Sequence, residues 1–148
     1  MKRLLLLALC ACAAPPPPPG SAGPAEAVQE FAAAVQKGDA ATAWALLSSR
    51  TQQEADAIAA RARACSGDGR PESGRAMLFG SALPGRPIEA RVVSQSGDSA
   101  QVRTNQDGGR VVRVVRDGGR WRVDLDLGVL VTFRCEGDAD GRPAAPNR

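Results

Sequence analysis

The second half of the chain carries the pattern that decides the fold: residues 88–126 read IEARVVSQSGDSAQVRTNQDGGRVVRVVRDGGRWRVDLD. Apolar and polar residues alternate within four runs of this stretch, which is the period of a half-buried strand. The triplets Ser-Gly-Asp at 96–98 and Asp-Gly-Gly at 107–109 and 117–119 separate the runs and are typical of tight turns. Since short turns make neighbouring strands antiparallel, the stretch predicts a four-stranded antiparallel meander.

The last predicted strand also sorts its charged residues onto one face. If Trp121 and Val123 point into the core, alternation turns their neighbours away from it. The neighbours concerned are Arg120, Arg122, Asp124 and Asp126. An Asp–Asp or Asp–Arg pair could serve catalysis, but we favour a solvated charged face for these four residues. A further apolar stretch at 129–133 is expected to add a strand or to fold across the sheet.

The first half has the period of helices. Residues 25–37 place Val28, Phe31, Ala32 and Val35 on one side, with Gly38 as a stop. Asp39 can cap a second helix over 40–47, and the capping-box form of 51–54 predicts a third helix ending near residue 64. An apolar patch at 77–83 is expected to form a short helix that plugs the core. Helices followed by a meander give an α+β layout.

Two segments resemble a known family. Residues 27–47, AVQEFAAAVQKGDAATAWALL, are similar to the helical opening of the nuclear transport factor two-like superfamily, which has the cystatin-like cone fold. Residues 117–123, DGGRWRV, resemble its late hairpin. The resemblance implies a cone-fold domain, assigned to residues 25–136, in which three N-terminal helices pack on a curved antiparallel sheet of four or more strands. It also implies a cavity between the helices and the sheet, where the enzymes of the superfamily place Asp, His, Tyr or Arg.

Composition limits the chemistry that such a cavity could perform. The chain has no His and no Tyr, so acid–base and metal sites that depend on His are excluded. We therefore predict no catalytic residue, no metal site and no cofactor. Trp44 and Trp121 could stack on a ligand, but in a chain with 3% aromatic residues they are expected to fill the core.

The N-terminus has the features of an export signal. Lys2 and Arg3 precede an apolar run that is too short to span a bilayer. The run ends in Leu9-Cys10-Ala11-Cys12, which resembles the lipobox of bacterial lipoproteins. The resemblance implies a signal peptide at residues 1–11 and lipid attachment to Cys12. The alternative is an ordinary secretory signal that is cut after Ala14.

Cleavage before Cys12 changes the charge of the chain. Loss of Lys2 and Arg3 leaves 17 basic residues against 16 acidic ones, so nothing calls for a nucleic acid partner. Five consecutive prolines at 15–19 predict an extended spacer within a tether over residues 12–24. A docking site for an aromatic groove is the other interpretation of such prolines. No acidic residue follows Cys12 directly, which favours the outer membrane, facing the periplasm.

Two cysteines remain for the folded domain. In an exported protein Cys65 and Cys135 are expected to form a disulfide, and two unpaired thiols are the alternative. Residues 137–148 are predicted to be a disordered tail.

The function that these features favour is that of a cell-envelope lipoprotein with a non-enzymatic domain. That domain would bind a small apolar ligand or an envelope protein, or act as an accessory. One rival is an isomerase-like or cyclase-like enzyme that uses a cavity carboxylate with a raised pKa. The other rival is a protein–protein interaction module with Val93, Val111 and Val115 exposed on the outer sheet face.

Overall fold

Helices occupy the first half of the chain and strands the second in the computed structural model. The structure describes residues 19–65, 71–81, 87–106 and 108–130. The helices are α1 (Pro24–Gln36), α2 (Ala40–Ala45), α3 (Ser49–Cys65), α4 (Gly74–Phe79) and the single turn α5 (Leu127–Leu130). The strands are β1 (Ala90–Ser96), β2 (Ser99–Thr104), β3 (Val111–Asp117) and β4 (Arg120–Asp124). The α+β class and the four-stranded antiparallel sheet are thereby confirmed.

The strands follow one another in the sheet in chain order, β1-β2-β3-β4, and every neighbouring pair is antiparallel. Gly118 and Gly119 close the last hairpin with φ angles of +63° and +79°. Glycine adopts this left-handed conformation without a steric cost, so the Gly-Gly turn fixes the register of β3 on β4. A bulge between Val92 and Ser94 shifts the register of β1, and bulges bend a strand.

Helix α1 lies across the inner face of the sheet and contacts all four strands. Its Ala27 and Val28 pack on strand residues that alternate inward, as the period-two pattern predicts. Trp121 and Val123 belong to this core, which confirms their predicted orientation, and Arg116 stacks over the Trp121 ring at 5.1 Å. Further core residues are Leu47, Ala100, Val102 and Val114.

The free edge of β4 is closed by two segments that precede it in the sequence. Ser21 exchanges both backbone hydrogen bonds with Trp121, each at 3.0 Å. Further along, Val123 donates to Leu46 at 2.9 Å and Ser48 donates to Val123 at 2.8 Å, with both contacts between backbone groups. The folded part therefore takes in Ser21, which the sequence assigned to the tether. Closure also leaves β4 without unpaired backbone groups at these positions.

Helix α3 forms a second apolar cluster away from the sheet. Ala55 and Ile58 of α3 pack against Leu127 of α5, and α3 also runs along α4. The approach of α4 is close, because a Cβ atom at Gly74 would lie 2.6 Å from the Ala55 carbonyl carbon. The sequence placed three helices on the sheet. In the structure α1 covers the sheet, whereas α3 meets it through its first turn.

Two local predictions differ from the structure. Helix α3 begins at Ser49 rather than Thr51, because the Thr51 backbone N–H donates to the Ser48 side chain at 3.1 Å and makes Ser48 the cap. The apolar stretch at 129–133 was expected to add a strand or to fold across the sheet, and Val129 and Leu130 are helical in α5 instead of extended. Residues 131–133 lie outside the described residues. The short helix expected in the patch at 77–83 is found as α4, which carries Met77 to Phe79.

Several predicted segments lie outside the described residues, and their assignments stay predictions. They are the signal at 1–11, Cys12, the first part of the tether and the tail at 137–148. Among the residues that the structure describes, no helix is long and apolar enough to cross a membrane.

Candidate functional site

A buried carboxylate forms the most polar centre of the described fold. Asp124, at the end of β4, is 6% exposed. Its Oδ1 accepts hydrogen bonds from Ser48 Oγ at 2.6 Å and Arg50 Nε at 3.0 Å. Arg113 Nε lies 3.5 Å from its Oδ2. Thr51 joins the cluster by accepting from the Leu125 backbone N–H at 2.9 Å. We name Ser48, Arg50, Thr51 and Asp124 the joint, because they connect the first turn of α3 to the end of β4.

A second carboxylate supports the same helix end. Asp117 Oδ2, in the β3–β4 hairpin, accepts from the Ser49 backbone N–H at 2.7 Å. Backbone N–H groups in the first turn of a helix have no partner within the helix, and the helix dipole makes this end positive. Asp117 and Asp124 therefore satisfy and neutralise the start of α3 from the sheet side.

The environment of Asp124 keeps the carboxyl ionised. Burial acts to raise its pKa, but hydrogen bonds from Arg50 and Ser48 and the charges of Arg50 and Arg113 outweigh burial and lower the pKa. The hydrogen bond to Asp124 correspondingly raises the pKa of Arg50. The Ser49 N–H lowers the pKa of Asp117.

These directions bear on the catalytic hypothesis. A carboxyl that donates a proton near neutral pH needs a raised pKa, and a general base needs a free lone pair facing a substrate. Asp124 has a lowered pKa, and its oxygens already face Ser48, Arg50 and Arg113. The arrangement holds two elements together: Asp124 is buried, whereas the Arg50 side chain that pairs with it is 53% exposed.

The structure corrects the prediction of a solvated charged face on β4. Asp124 does lie on the face opposite Val123, but the chain from Leu46 to Thr51 wraps around the β4 edge and covers it. Arg120 and Arg122 are half-buried, and Asp126, which follows the strand, is exposed. Alternation identified the face of Asp124 but could not show what covers it. The hydroxyl residues Ser48 and Thr51 were the sequence signal for this contact, since hydroxyls that become buried at the start of a helix need polar partners.

An open groove lies beside the point where the chain enters the fold. Its volume is about 540 Å³, between residues 19–20, α1 and α2, which is within the range of small-ligand sites. Its apolar lining consists of Ala33, Ala34, Ala45 and Leu46. Its charged lining consists of Glu30, Lys37, Asp39 and Arg120. Arg120 is fixed at the groove by donating to the Gly20 carbonyl at 2.9 Å.

The interior between α1 and the sheet is filled by side chains where the structure describes it. Trp121 is buried there, and Trp44 packs against both apolar clusters, so both act as core fillers as predicted. A void of about 20 Å³ lies between α1, α2 and α4, beside Phe79. That volume is enough for a single water molecule.

Of the three cysteines with a predicted role, the structure describes one. Cys65 ends α3, while Cys12 and Cys135 lie outside the described residues, so the lipid and the disulfide stay predictions. In the described ranges, no group of three or more His, Cys, Asp or Glu side chains could hold a metal ion.

Comparison with known proteins gives no relative for the chain. No protein-family model matches it, no curated protein matches it, and no solved structure matches it.

Proposed function

We propose that the chain is a lipoprotein of the bacterial cell envelope, held by lipid on Cys12 in the outer membrane and facing the periplasm. One observation carries this proposal: Leu9-Cys10-Ala11-Cys12 stands where the apolar run of an export signal ends. The proline run that follows would separate the lipid from the domain. The domain starts close behind it, since Ser21 already pairs with Trp121.

The folded domain would act without catalysis, as a binding or accessory module built on the cone architecture. The placement of α1 across a four-stranded antiparallel sheet is compatible with that architecture. The groove beside residues 19–20 offers a place for a small ligand with an apolar part, because alanine and leucine side chains line it between charged groups. An envelope protein is the alternative partner.

The isomerase-like or cyclase-like alternative has less support. It requires a cavity carboxylate that is protonated near neutral pH or free to accept a proton. Asp124 is the buried carboxylate of the described fold, and hydrogen bonds from Ser48 and Arg50 keep it ionised.

A Cys65–Cys135 disulfide would suit the described geometry. Leu127 of α5 packs on Ile58, and Cys65 lies seven residues further along α3, or roughly 10 Å. Cys135 follows Leu130 by five positions in the sequence, which can span about 17 Å. On the chain-entropy view, closing this loop of about 70 residues would stabilise the fold by roughly 4 kcal/mol. Alkylation before and after reduction should differ by two thiols, and equal labelling would exclude the bridge.

Lipid attachment is tested by labelling cells with radioactive palmitate. The unchanged chain should carry the label and fractionate with membranes, and Cys12→Ser should lose the label and appear in the soluble fraction. Cys10→Ser is the matched control, because it changes the neighbouring cysteine and should keep the label. A Cys12→Ser protein that stays labelled would refute the proposal.

A further inference from the structure

The outer face of the sheet carries a row of arginines that runs from the β1 edge toward the joint, where Arg113 lies directly opposite Asp124. Register places Arg91 of β1 directly opposite Arg103 of β2, and Arg103 directly opposite Val111 of β3. Arg113 lies two residues beyond Val111 on the same face. We name Arg91, Val93, Arg103, Val111 and Arg113 the arginine patch.

The charges of this patch have little compensation. Like charges directly opposite each other destabilise a sheet, yet Arg91 and Arg103 form such a pair. Neither forms an ion pair with any residue that the structure describes. Arg113 approaches Asp124, but its side chain is 62% exposed. Arg91 and Arg103 are therefore exposed cations without an ionic partner among the described residues, which suits an external anion.

Exposed apolar side chains occur at the same place. Val93 is 43% exposed and Val111 is 45% exposed, and with Val92 they are the large hydrophobic residues that the described fold leaves most exposed. Val111 stands between Arg103 and Arg113 on the face, and Val93 lies at the bulge of β1. Cations mixed with apolar side chains on a broad face suit a surface that offers phosphate groups above hydrocarbon.

The segment between Cys12 and the described fold indicates that this phosphate-bearing surface is a membrane. Pro19 follows Cys12 by seven positions in the sequence, a distance of at most about 25 Å in extended chain. Pro19 and Gly20 adjoin Arg120, so the chain enters the fold at the β4 edge of this same sheet. A lipid on Cys12 would thus hold the sheet within reach of the membrane surface.

We propose that the arginine patch docks the domain on anionic lipid headgroups of the membrane that holds its anchor. The choice of that membrane rests on the proposed lipidation of Cys12, whereas the affinity for anionic headgroups does not. Phosphate oxygens would accept from Arg91, Arg103 and Arg113, and Val93 and Val111 would enter the headgroup layer. The attraction should weaken in salt, because exposed charges are screened.

Vesicle sedimentation tests the docking without the anchor. The protein is the chain from residue 12 to the end with Cys12→Ser, which contains every described residue and carries no lipid. It should sediment with vesicles containing phosphatidylglycerol and stay in solution with pure phosphatidylcholine. Replacing the two patch arginines that lack an ionic partner, Arg91→Gln and Arg103→Gln, should lower the partition coefficient roughly tenfold or more.

A matched control separates the patch from net charge alone. Arg61 on α3 and Arg75 on α4 are exposed, and changing both to Gln removes the same charge while binding should be kept. Val111→Ser, which keeps every charge, should also weaken binding and provides a second test if the double arginine variant does not fold. Three results would overturn the proposal. The first is an equal loss of binding in the Arg91/Arg103 and Arg61/Arg75 variants, and the second is no binding of the unchanged protein to anionic vesicles. The third is binding to soluble polyphosphate but not to vesicles. Loss of palmitate labelling alone would not affect this result, so the two proposals fail separately.

Discussion

Arginine is used in opposite ways in the two halves of the sheet, at the β4 edge and at the β1 edge. At the β4 edge, Arg50 donates to a buried carboxylate and to the Leu125 carbonyl at 2.8 Å, and both sides of the contact belong to the fold. At the β1 edge, Arg91 faces Arg103 across the strand pair and neither has an ionic partner in the described fold. The first arrangement connects a helix to the sheet, whereas in the second the two arginines repel each other.

This difference distinguishes charges that stabilise the fold from charges that are free to bind an external anion. A buried carboxylate without partners would be costly, so Asp124 requires Ser48 and Arg50 to be in place. Exposed arginines impose no such requirement, and their removal should relieve repulsion. Stability should therefore respond to loss of Arg50, and binding to loss of Arg91 and Arg103.

The largest effect is expected from removing the centre of the joint. Asp124→Ala deletes the carboxylate that accepts from Ser48 and Arg50 in a buried position, so it should lower the free energy of unfolding by about 3 kcal/mol. Chemical denaturation measures this loss. Asp98→Ala is the control, since the Asp98 carboxylate pairs with Arg116 at the surface at 3.6 Å and its loss should cost less than about 1 kcal/mol. Equal losses in the two variants would show that Asp124 is not the connection between α3 and the sheet.

Acid should weaken the same connection. The pKa of Asp124 is lowered in the folded state from its ordinary value of 3.8, so its contribution is fully present above that value and is lost as the pH falls through the folded pKa. The free energy of unfolding should therefore decline below about pH 4, and the decline should be shallower in Asp124→Asn. Asp117 also has a lowered pKa, so some decline should persist in that variant. If the free energy of unfolding depended on pH in the same way in Asp124→Asn and in the unchanged protein, Asp124 would not be the source of the acid sensitivity.

Local sequence signals were enough for the four strands and for the presence of the first four helices, but not for α5. The Asp117-Gly118-Gly119 turn and the alternation around Trp121 predicted the last hairpin, because turn chemistry and burial both act over a few residues. The first three helices were predicted within a few residues of their observed ends for the same reason. The start of α3 was misplaced because Ser48 and Thr51 are both caps by composition, and the choice between them depends on contacts with Asp124.

Contacts between distant segments account for the remaining differences. The chain from Leu46 to Ser48 pairs with β4 over a separation of about 76 residues, and nothing in its own sequence marks it as strand-like. For that reason Asp124 was assigned to a solvated face. The pairing of Arg91 with Arg103 likewise depends on the bulge at Val93, which sets the register of β1 and has no single-residue signature here.

The contrast between the two halves is tested most directly by two substitutions that remove the same charge. Arg50→Gln and Arg91→Gln are compared by chemical denaturation under identical conditions. Arg50→Gln should lower the free energy of unfolding by about 1–3 kcal/mol, because it takes a donor from a buried carboxylate. Arg91→Gln should leave stability unchanged or raise it by a few tenths of a kcal/mol, roughly the size of a relieved cross-strand repulsion. Equal destabilisation by the two substitutions would contradict the account, since the arginine patch would then hold the fold together as the joint does.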